Sequence, residues 1–169
     1  MGQAFSFKIQ GAKELARMLG ELPKAMSKAV LRKALKAAAQ PTMEQGQAIA
    51  NVEAVQKSVV ISTKLSKNQK RGHKKDRAAV EVFVGSTHPL AHLIEFGTVE
   101  RVRKKSGGST GKMTQAPFMR PAWDATKGEA LDILTKEIKA ELLKAASRLA
   151  KRAEKGTLGK RAVKELRGG

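Results

Sequence analysis

Apolar side chains recur every three or four residues from about position 11 to position 50, the period of an amphipathic helix. The first helix is predicted from Leu15, Met18, Leu19 and Leu22. After Pro23, which suits a first helical turn, the second is predicted from Met26, Val30, Ala34 and Ala38. Pro41 should end or kink this helix. The pattern resumes through Ile49, so we expect either one interrupted helix or two shorter ones.

From Val55 the apolar period changes to two, which is typical of β-strands. The members of the two predicted strands are Val59, Ile61 and Thr63, and then Val80, Val82 and Val84. Residues 66–77 between them are too polar to pack, so we predict a β-hairpin with a long basic finger. Near the N-terminus, a short strand is predicted from Phe5, Phe7 and Ile9.

The rest of the chain predicts a short helix, a loop and a long helix. His88 to Phe96 indicates a short helix that stops at Gly97. Residues 99–116 are basic and rich in glycine and serine, which predicts a flexible loop. A long helix then begins at Pro121, and its apolar stripe consists of Leu131, Leu134, Ile138, Leu142, Ala145 and Leu149.

The length of this last helix raises a packing question. At about 1.5 Å per residue, residues 122–154 span roughly 50 Å, which exceeds the width of a small domain. We therefore expect its distal half to protrude unless another subunit or a partner covers the stripe. Gly156 is a plausible stop.

Together these elements predict an α+β fold with N-terminal helices, a small antiparallel sheet with a long basic hairpin loop, and a long C-terminal helix. We expect a single domain over residues 1–156, with flexible basic loops at 66–77 and 99–116. A basic tail follows at residues 157–169.

Composition adds a strong positive charge to this picture. The 169 residues include 34 Lys and Arg against 15 Asp and Glu, a formal net charge of +19. Most of the excess lies in residues 64–77, 99–120 and 141–169. Such blocks attract nucleic-acid phosphate or another anionic surface. Aromatic residues are only 4% of the chain and are absent from the two basic loops, so we expect contact with duplex backbone rather than with bases.

Several classes of protein are disfavoured by what the sequence lacks. It has no cysteine, which excludes disulfides, thiolate zinc sites and cysteine nucleophiles. It has no apolar run of about 18 residues and no signal-peptide pattern at its start, so we expect a soluble, cytosolic chain that binds no membrane.

Candidate chemistry is sparse. His88, His92 and Glu95 could share one helical face as metal ligands or acid–base groups, but the alternative is a structural helix whose Glu95 pairs with a base such as Arg120. The glycines of residues 107–112 hint at a phosphate loop, but the Walker spacing and the Ser or Thr after the lysine are missing. We therefore predict no catalytic residue, no metal and no cofactor, and a protein that is not an enzyme.

Two short motifs form a recognisable combination. They are Leu90-Ala91-His92-Leu93-Ile94-Glu95-Phe96-Gly97-Thr98 and Ala116-Pro117-Phe118-Met119-Arg120-Pro121-Ala122. With the order of the elements, over roughly residues 10–150, they resemble the neck and tail-completion family of lambdoid long-tailed bacteriophages, typified by gene product ten. One departure is Leu90, where the family often has tyrosine.

The resemblance implies a non-enzymatic virion protein of the head–tail junction, assembled in the host cytoplasm. It further implies a homo-oligomeric ring of six subunits with genomic double-stranded DNA in the lumen. In such a closed ring we expect each long helix to lie against its neighbour, where its apolar stripe would be buried. The implied partners are tail terminator or tail-tube proteins and head-connector proteins. A non-specific duplex-DNA-binding architectural protein is the alternative, and a metal-dependent nuclease that uses the two histidines and Glu95 is a third hypothesis.

Two groups of residues are candidates for contacts. Those expected to meet DNA or an acidic partner are Lys67, Lys70, Arg71, Lys74, Lys75, Arg101, Arg103, Lys104 and Lys105. Those expected to have structural or interface roles are Glu95, Phe96, Gly97, Phe118, Arg120, Pro121 and Trp123. Of the large side chains near the long helix, we expect Phe96, Phe118, Met119 and Trp123 to be core, unless a share of them anchors a subunit interface.

Overall fold

A computed structural model describes residues 12–65, 67, 70, 73, 80–104 and 107–156. Its elements in chain order are α1 (Ala12–Gly20), α2 (Lys24–Ala38), α3 (Gln40–Ile49), α4 (Glu53–Gln56), β1 (Val59–Ser62), β2 (Phe83–Ser86), α5 (Ala91–Phe96) and α6 (Met119–Glu154). The predicted α+β fold with a small antiparallel sheet and a long C-terminal helix is confirmed. The predicted N-terminal strand and the basic tail lie outside the described residues.

The chain divides into two compact units. The mixed unit comprises residues 38–131, and the helical unit comprises the described residues before 38 and from 132 onward. The expectation of a single domain over residues 1–156 stays a prediction. No helix in the described parts of the chain is long and apolar enough to cross a membrane.

The helical unit is built from α1, α2 and the second half of α6. Its buried side chains are Leu15, Val30, Leu142 and Ala145, with Met18, Leu19, Leu22, Met26 and Ile138 packed against them. The helical spacing that predicted α1 and α2 is thus confirmed. The expectation that another subunit must cover the distal stripe of α6 is wrong, because α1 and α2 of the same chain bury Leu142 and Ala145.

Polar contacts fix the same three helices. The Ser27 hydroxyl donates to the carbonyl of Leu19 at 2.7 Å, which ties the end of α1 to α2. Glu141 of α6 pairs with Lys33 of α2 at 3.3 Å and with Lys144 at 3.2 Å. The hydrogen bond from Lys144 and the charge of Lys33 lower the pKa of Glu141 against the opposing effect of burial. The ion pairs of Glu141 therefore stabilise the fold fully when the pH is above the ordinary pKa of a glutamate. This stabilisation is lost as the pH falls through the lowered pKa of Glu141.

Pro41 separates two helices rather than kinking one. It lies in the first turn of α3, where the N–H that proline lacks would have no helical partner. α3 packs closely against the start of α6 at Gly46. A Cβ atom at this position would lie only 3.0 Å from the Met119 sulfur. The absence of a side chain at Gly46 thus lets α3 approach the start of α6.

The core of the mixed unit lies between α3, β1, α5 and the start of α6. Its buried members are Ala50, Val55, Val59, Ala91, Ile94 and Phe118, and Met43, Ile49, Ala116 and Met119 pack against them. The prediction that extended structure starts at Val55 is wrong, because Val55 lies in the short helix α4. Val55 and Val59 are four residues apart and both point into this core, so burial rather than strand alternation explains their spacing.

The two strands form the predicted hairpin. β1 and β2 pair antiparallel, with Val59 opposite Ser86 and Ser62 opposite Phe83. Val80 and Val82 precede β2 instead of belonging to it. In the finger between the strands, Nε2 of His73 lies 2.9 Å from Oε1 of Glu81, and the His73 ring makes a T-shaped contact with the Phe83 ring.

Candidate functional site at the start of the long helix

The side chain of Glu95 caps α6. Glu95 lies in α5 and is only 7% exposed. Its Oε2 accepts the backbone N–H of Phe118 at 2.8 Å and that of Met119 at 3.0 Å, and its Oε1 accepts the N–H of Arg120 at 3.2 Å. One buried carboxylate thus satisfies three donors that have no partner within the helix. Its negative charge also lies where the helix dipole favours an anion.

Pro121 completes this cap because it has no N–H to satisfy. The first hydrogen bond within the helix runs from the N–H of Ala122 to the carbonyl of Phe118 at 3.3 Å. The prediction that the helix begins at Pro121 is wrong by two residues, because the Glu95 carboxylate allows Met119 and Arg120 to join it.

The interpretation that Glu95 pairs with the Arg120 side chain is also wrong. Glu95 accepts the backbone N–H of Arg120, whereas the Arg120 guanidinium lies over the ring of Phe96, with its carbon 4.9 Å from the ring centroid. This is a cation–π contact. The same three residues therefore hold α5 against α6 through one buried and one exposed contact.

Gly97 turns the chain out of α5 in a conformation that other residues rarely adopt. Its φ is 70° and its ψ is −176°, a region occupied almost only by glycine. A Cβ atom there would lie 2.7 Å from the carbonyl oxygen of Met113 and 2.9 Å from the backbone nitrogen of Gln115. The predicted helix stop at Gly97 is confirmed, and the positive φ explains why a glycine is needed there.

After Gly97 the chain pairs with itself as an antiparallel ribbon. We call its described residues, 98–104 and 107–113, the arm. Backbone bridges join Thr98 to Met113 and Val102 to Ser109. The Thr98 hydroxyl oxygen also accepts the N–H of Met113 at 3.0 Å. The prediction of a loop was therefore incomplete, because it omitted this pairing.

The register of the bridges places the arm side chains on two faces. One face, which we call the cationic face, carries Val99, Arg101, Arg103 and Lys112, all exposed. The opposite face is mixed, and on it Glu100 accepts the hydroxyl of Ser109 at 2.6 Å. Positive charge is thus concentrated on one side of the arm.

The large side chains around the start of α6 divide into core and surface. Phe118 is buried and Met119 packs against the same core, as predicted. The prediction of core is wrong for Phe96 and Trp123, which are exposed. The alternative role for these two aromatics, as interface anchors, stays open.

The cations predicted to contact DNA or an acidic partner fall on two segments. Lys67 and Lys70 lie in the finger between β1 and β2, and Arg101, Arg103 and Lys104 lie on the arm, all exposed. The remaining members, Arg71, Lys74, Lys75 and Lys105, lie outside the described residues.

The two histidines at and before α5 do not converge with Glu95. His88 precedes the helix and its Nδ1 accepts the N–H of Leu90 at 3.2 Å. His92 is exposed, whereas both Glu95 oxygens face backbone donors. Within the described residues, no group of three or more His, Cys, Asp or Glu side chains is placed to hold a metal ion.

Comparison with known proteins identifies a family. A family model described as "Bacteriophage HK97-gp10, putative tail-component" matches residues 13–97, which run from α1 to the turn at Gly97. The arm and α6 lie beyond the matched region. Neither the curated proteins nor the solved structures contain a significant match to the chain.

Proposed function

Since the matched region covers half of the chain, the protein belongs to this family of phage tail components, and we propose that it is a structural protein of the head–tail junction. A tail component is part of the virion and contacts other virion proteins. Within the virion we assign it to the neck, as a ring of six copies between the head connector and the tail terminator or tail tube. The ring surrounds the DNA channel and is assembled in the host cytoplasm.

The observation that carries the proposal is the family match ending at the Glu95–Gly97 turn. Two residues of this turn organise the elements that follow it. Glu95 caps α6, and Gly97 directs the chain into the arm. The arm and the two exposed aromatics give the chain a surface suited to assembly.

An assembly role rather than catalysis fits the chemistry of the same turn. The buried carboxylate of Glu95 accepts three backbone N–H groups, so its oxygens are occupied by structural hydrogen bonds. A general acid or base would need a side chain that can reach a substrate proton.

Contact with the passing genome is the second part of the proposal. Lys67 and Lys70 in the finger are exposed, and a ring that repeats them six times would line its surface with positive charge. The same exposed cations support the alternative of a non-specific duplex-DNA-binding architectural protein. That alternative requires no ring.

An amber mutation in the gene of the encoding phage tests the proposal. We expect electron microscopy of the lysate to show filled heads and separate tails that fail to join, and supplying the intact gene in trans should restore joined particles. Joined, infectious particles without the protein would contradict a neck role. Native mass spectrometry of the full chain, alone and with tail-tube protein, tests the ring, and a persistent monomer in both samples would contradict it.

A further inference from the structure

Exposed apolar side chains concentrate at the arm and at the start of α6. Of the nine large apolar side chains that are exposed in the described residues, five lie between residues 96 and 123. Of these five, the most exposed are Val99 at 78%, Val102 at 63%, Phe96 at 60% and Trp123 at 50%, and Val102 lies with Met113 on the mixed face of the arm. Single exposed apolar residues are ordinary, but such a concentration marks an interaction surface.

Two aromatics and one arginine form the part of this surface beside the cap. Phe96 lies under the Arg120 guanidinium, and Trp123 follows Arg120 by three residues on α6, so both are its neighbours. We call Phe96, Arg120 and Trp123 the ridge. Stacking on Phe96 holds the guanidinium in place while its N–H groups stay available to a carboxylate.

The arm follows Phe96 of the ridge directly along the chain. Phe96 is joined to Thr98 through Gly97, and the arm then presents its cationic face with Val99 beside Arg101 and Arg103. No acidic side chain lies on that face among the described residues. The surface therefore combines apolar contact area with uncompensated positive charge.

We propose that the ridge and the arm together bind a segment of a neighbouring virion protein that carries carboxylates beside apolar side chains. Trp, Phe, Met and Arg are the residue types that dominate the centres of protein interfaces. Carboxylates on the partner complement Arg120, Arg101 and Arg103, and apolar side chains cover the aromatics and Val99. The inference rests on the proposed neck function only for the source of the partner.

Duplex DNA is a poorer fit to this surface. Protein–DNA interfaces are polar and contact mainly phosphate oxygens. A phosphate backbone laid on the cationic face would meet Val99, and it would gain nothing from Phe96 or Trp123. The lysines of the finger, Lys67 and Lys70, have no such apolar neighbours among the exposed large side chains of the described residues and suit phosphate better.

A second copy of the chain is a poorer fit as well. If this surface met the same surface of a second copy, Arg101 and Arg103 of the two arms would face like charges, which is unfavourable. A partner of opposite charge gains affinity and association rate from the same charges.

The test uses the purified full chain and a fluorescent peptide in which Glu alternates with Val. Fluorescence anisotropy should show binding that weakens at least about tenfold when Gln replaces Glu in the peptide. The double variant Phe96→Ala, Trp123→Ala should bind the Glu peptide about tenfold more weakly than wild type, because truncated interface anchors typically cost this much. Leu90→Ala is the matched control, since Leu90 is equally exposed but lies outside the ridge, and it should bind as wild type does.

Each other outcome overturns the inference. Failure of the wild-type chain to bind the Glu peptide would do so, as would unchanged binding by the double variant. A matching loss of affinity for labelled duplex DNA in the double variant would make this a DNA surface. Loss of self-association by the double variant in sedimentation would make the occupant a second copy. These measurements use the isolated chain, whereas the neck function is tested in phage particles. The binding proposal can therefore be wrong while the neck function is right, and the neck function can be wrong while the binding proposal is right.

Discussion

At Glu95 a charged side chain is buried, and no basic side chain among the described residues forms an ion pair with it. Burying a carboxylate costs free energy unless hydrogen bonds and charge compensate it. Here the compensation comes from the backbone N–H groups of Phe118, Met119 and Arg120, together with the positive end of the helix dipole. The proline that follows them removes the donor that Glu95 could not reach.

Replacing the Glu95 carboxylate by an amide of the same shape measures how much the cap contributes to the free energy of unfolding. Glu95→Gln should lower the free energy of unfolding by about 2 kcal/mol, because hydrogen bonds to a charged acceptor are lost and an N–H₂ group then faces backbone donors. Urea unfolding followed by circular dichroism gives the value. Glu129→Gln, on the exposed surface of α6, is the matched control and should stay within about 0.5 kcal/mol of wild type. If Glu95→Gln changed the free energy of unfolding as little as Glu129→Gln does, the cap would not be stabilising.

Residues near this turn differ in how far the sequence predicts them. The stop at Gly97 follows from local pattern, because a glycine after a short helix commonly ends it. The partners of Glu95 could not be predicted, because they are backbone groups 23 to 25 residues away and a backbone N–H carries no signal in the sequence. One weak signal was Pro121, which favours the first turn of a helix and so indicates that N–H groups just before it need acceptors.

Among the elements, α6 shows what periodicity predicts and what it leaves open. Its stripe is apolar at the spacing of a buried face, and burial of Leu142 and Ala145 confirms that face. The stripe alone does not say which surface covers it. The short helices α1 and α2 do so, although they lie about a hundred residues earlier in the chain.

Two neighbouring leucines of α6 test this packing. Leu142→Ala should lower the free energy of unfolding by about 2–5 kcal/mol, because it leaves a cavity against Leu15 and Val30. Leu143→Ala should change it by less than about 0.5 kcal/mol, because Leu143 is exposed. Thermal and urea unfolding of the two variants give the comparison. Equal effects at both positions would mean that α1 and α2 do not cover the helix in solution.

The arm and α4 were beyond pattern-based prediction for a different reason. The arm pairs through backbone groups in a segment rich in glycine, serine and lysine, so its side chains show no apolar alternation. In α4, Val55 fitted a strand pattern because four-residue helical spacing and two-residue strand spacing both align it with Val59. Short apolar patterns of this kind do not separate helix from strand.

For the whole molecule, the net charge sets how binding responds to salt. We expect the chain to bind duplex DNA with an affinity that falls steeply as salt rises. Replacing Lys70, Arg71, Lys74 and Lys75 by Ser should weaken binding. It should also flatten the plot of log affinity against log salt by about 0.9 for each phosphate that the variant no longer neutralises. Titrations of labelled duplex at several salt concentrations give the slope.

A control separates local binding by the finger from the effect of a lower net charge. Lys136→Gln with Lys139→Gln removes two exposed cations of α6 that lie outside the basic segments. This double variant should leave the slope unchanged. If the finger variant also leaves it unchanged, the finger does not contact DNA.

The cap at Glu95 also orders events during synthesis. Glu95 leaves the ribosome before residues 118–120, so for a time the nascent chain has a carboxylate whose partners do not yet exist. Until they emerge, burial of α5 is opposed by the cost of an uncompensated charge. We therefore expect a chain that terminates before Phe118 to hold α5 less firmly, and limited proteolysis of such a truncated chain should cleave α5 faster than in the full chain.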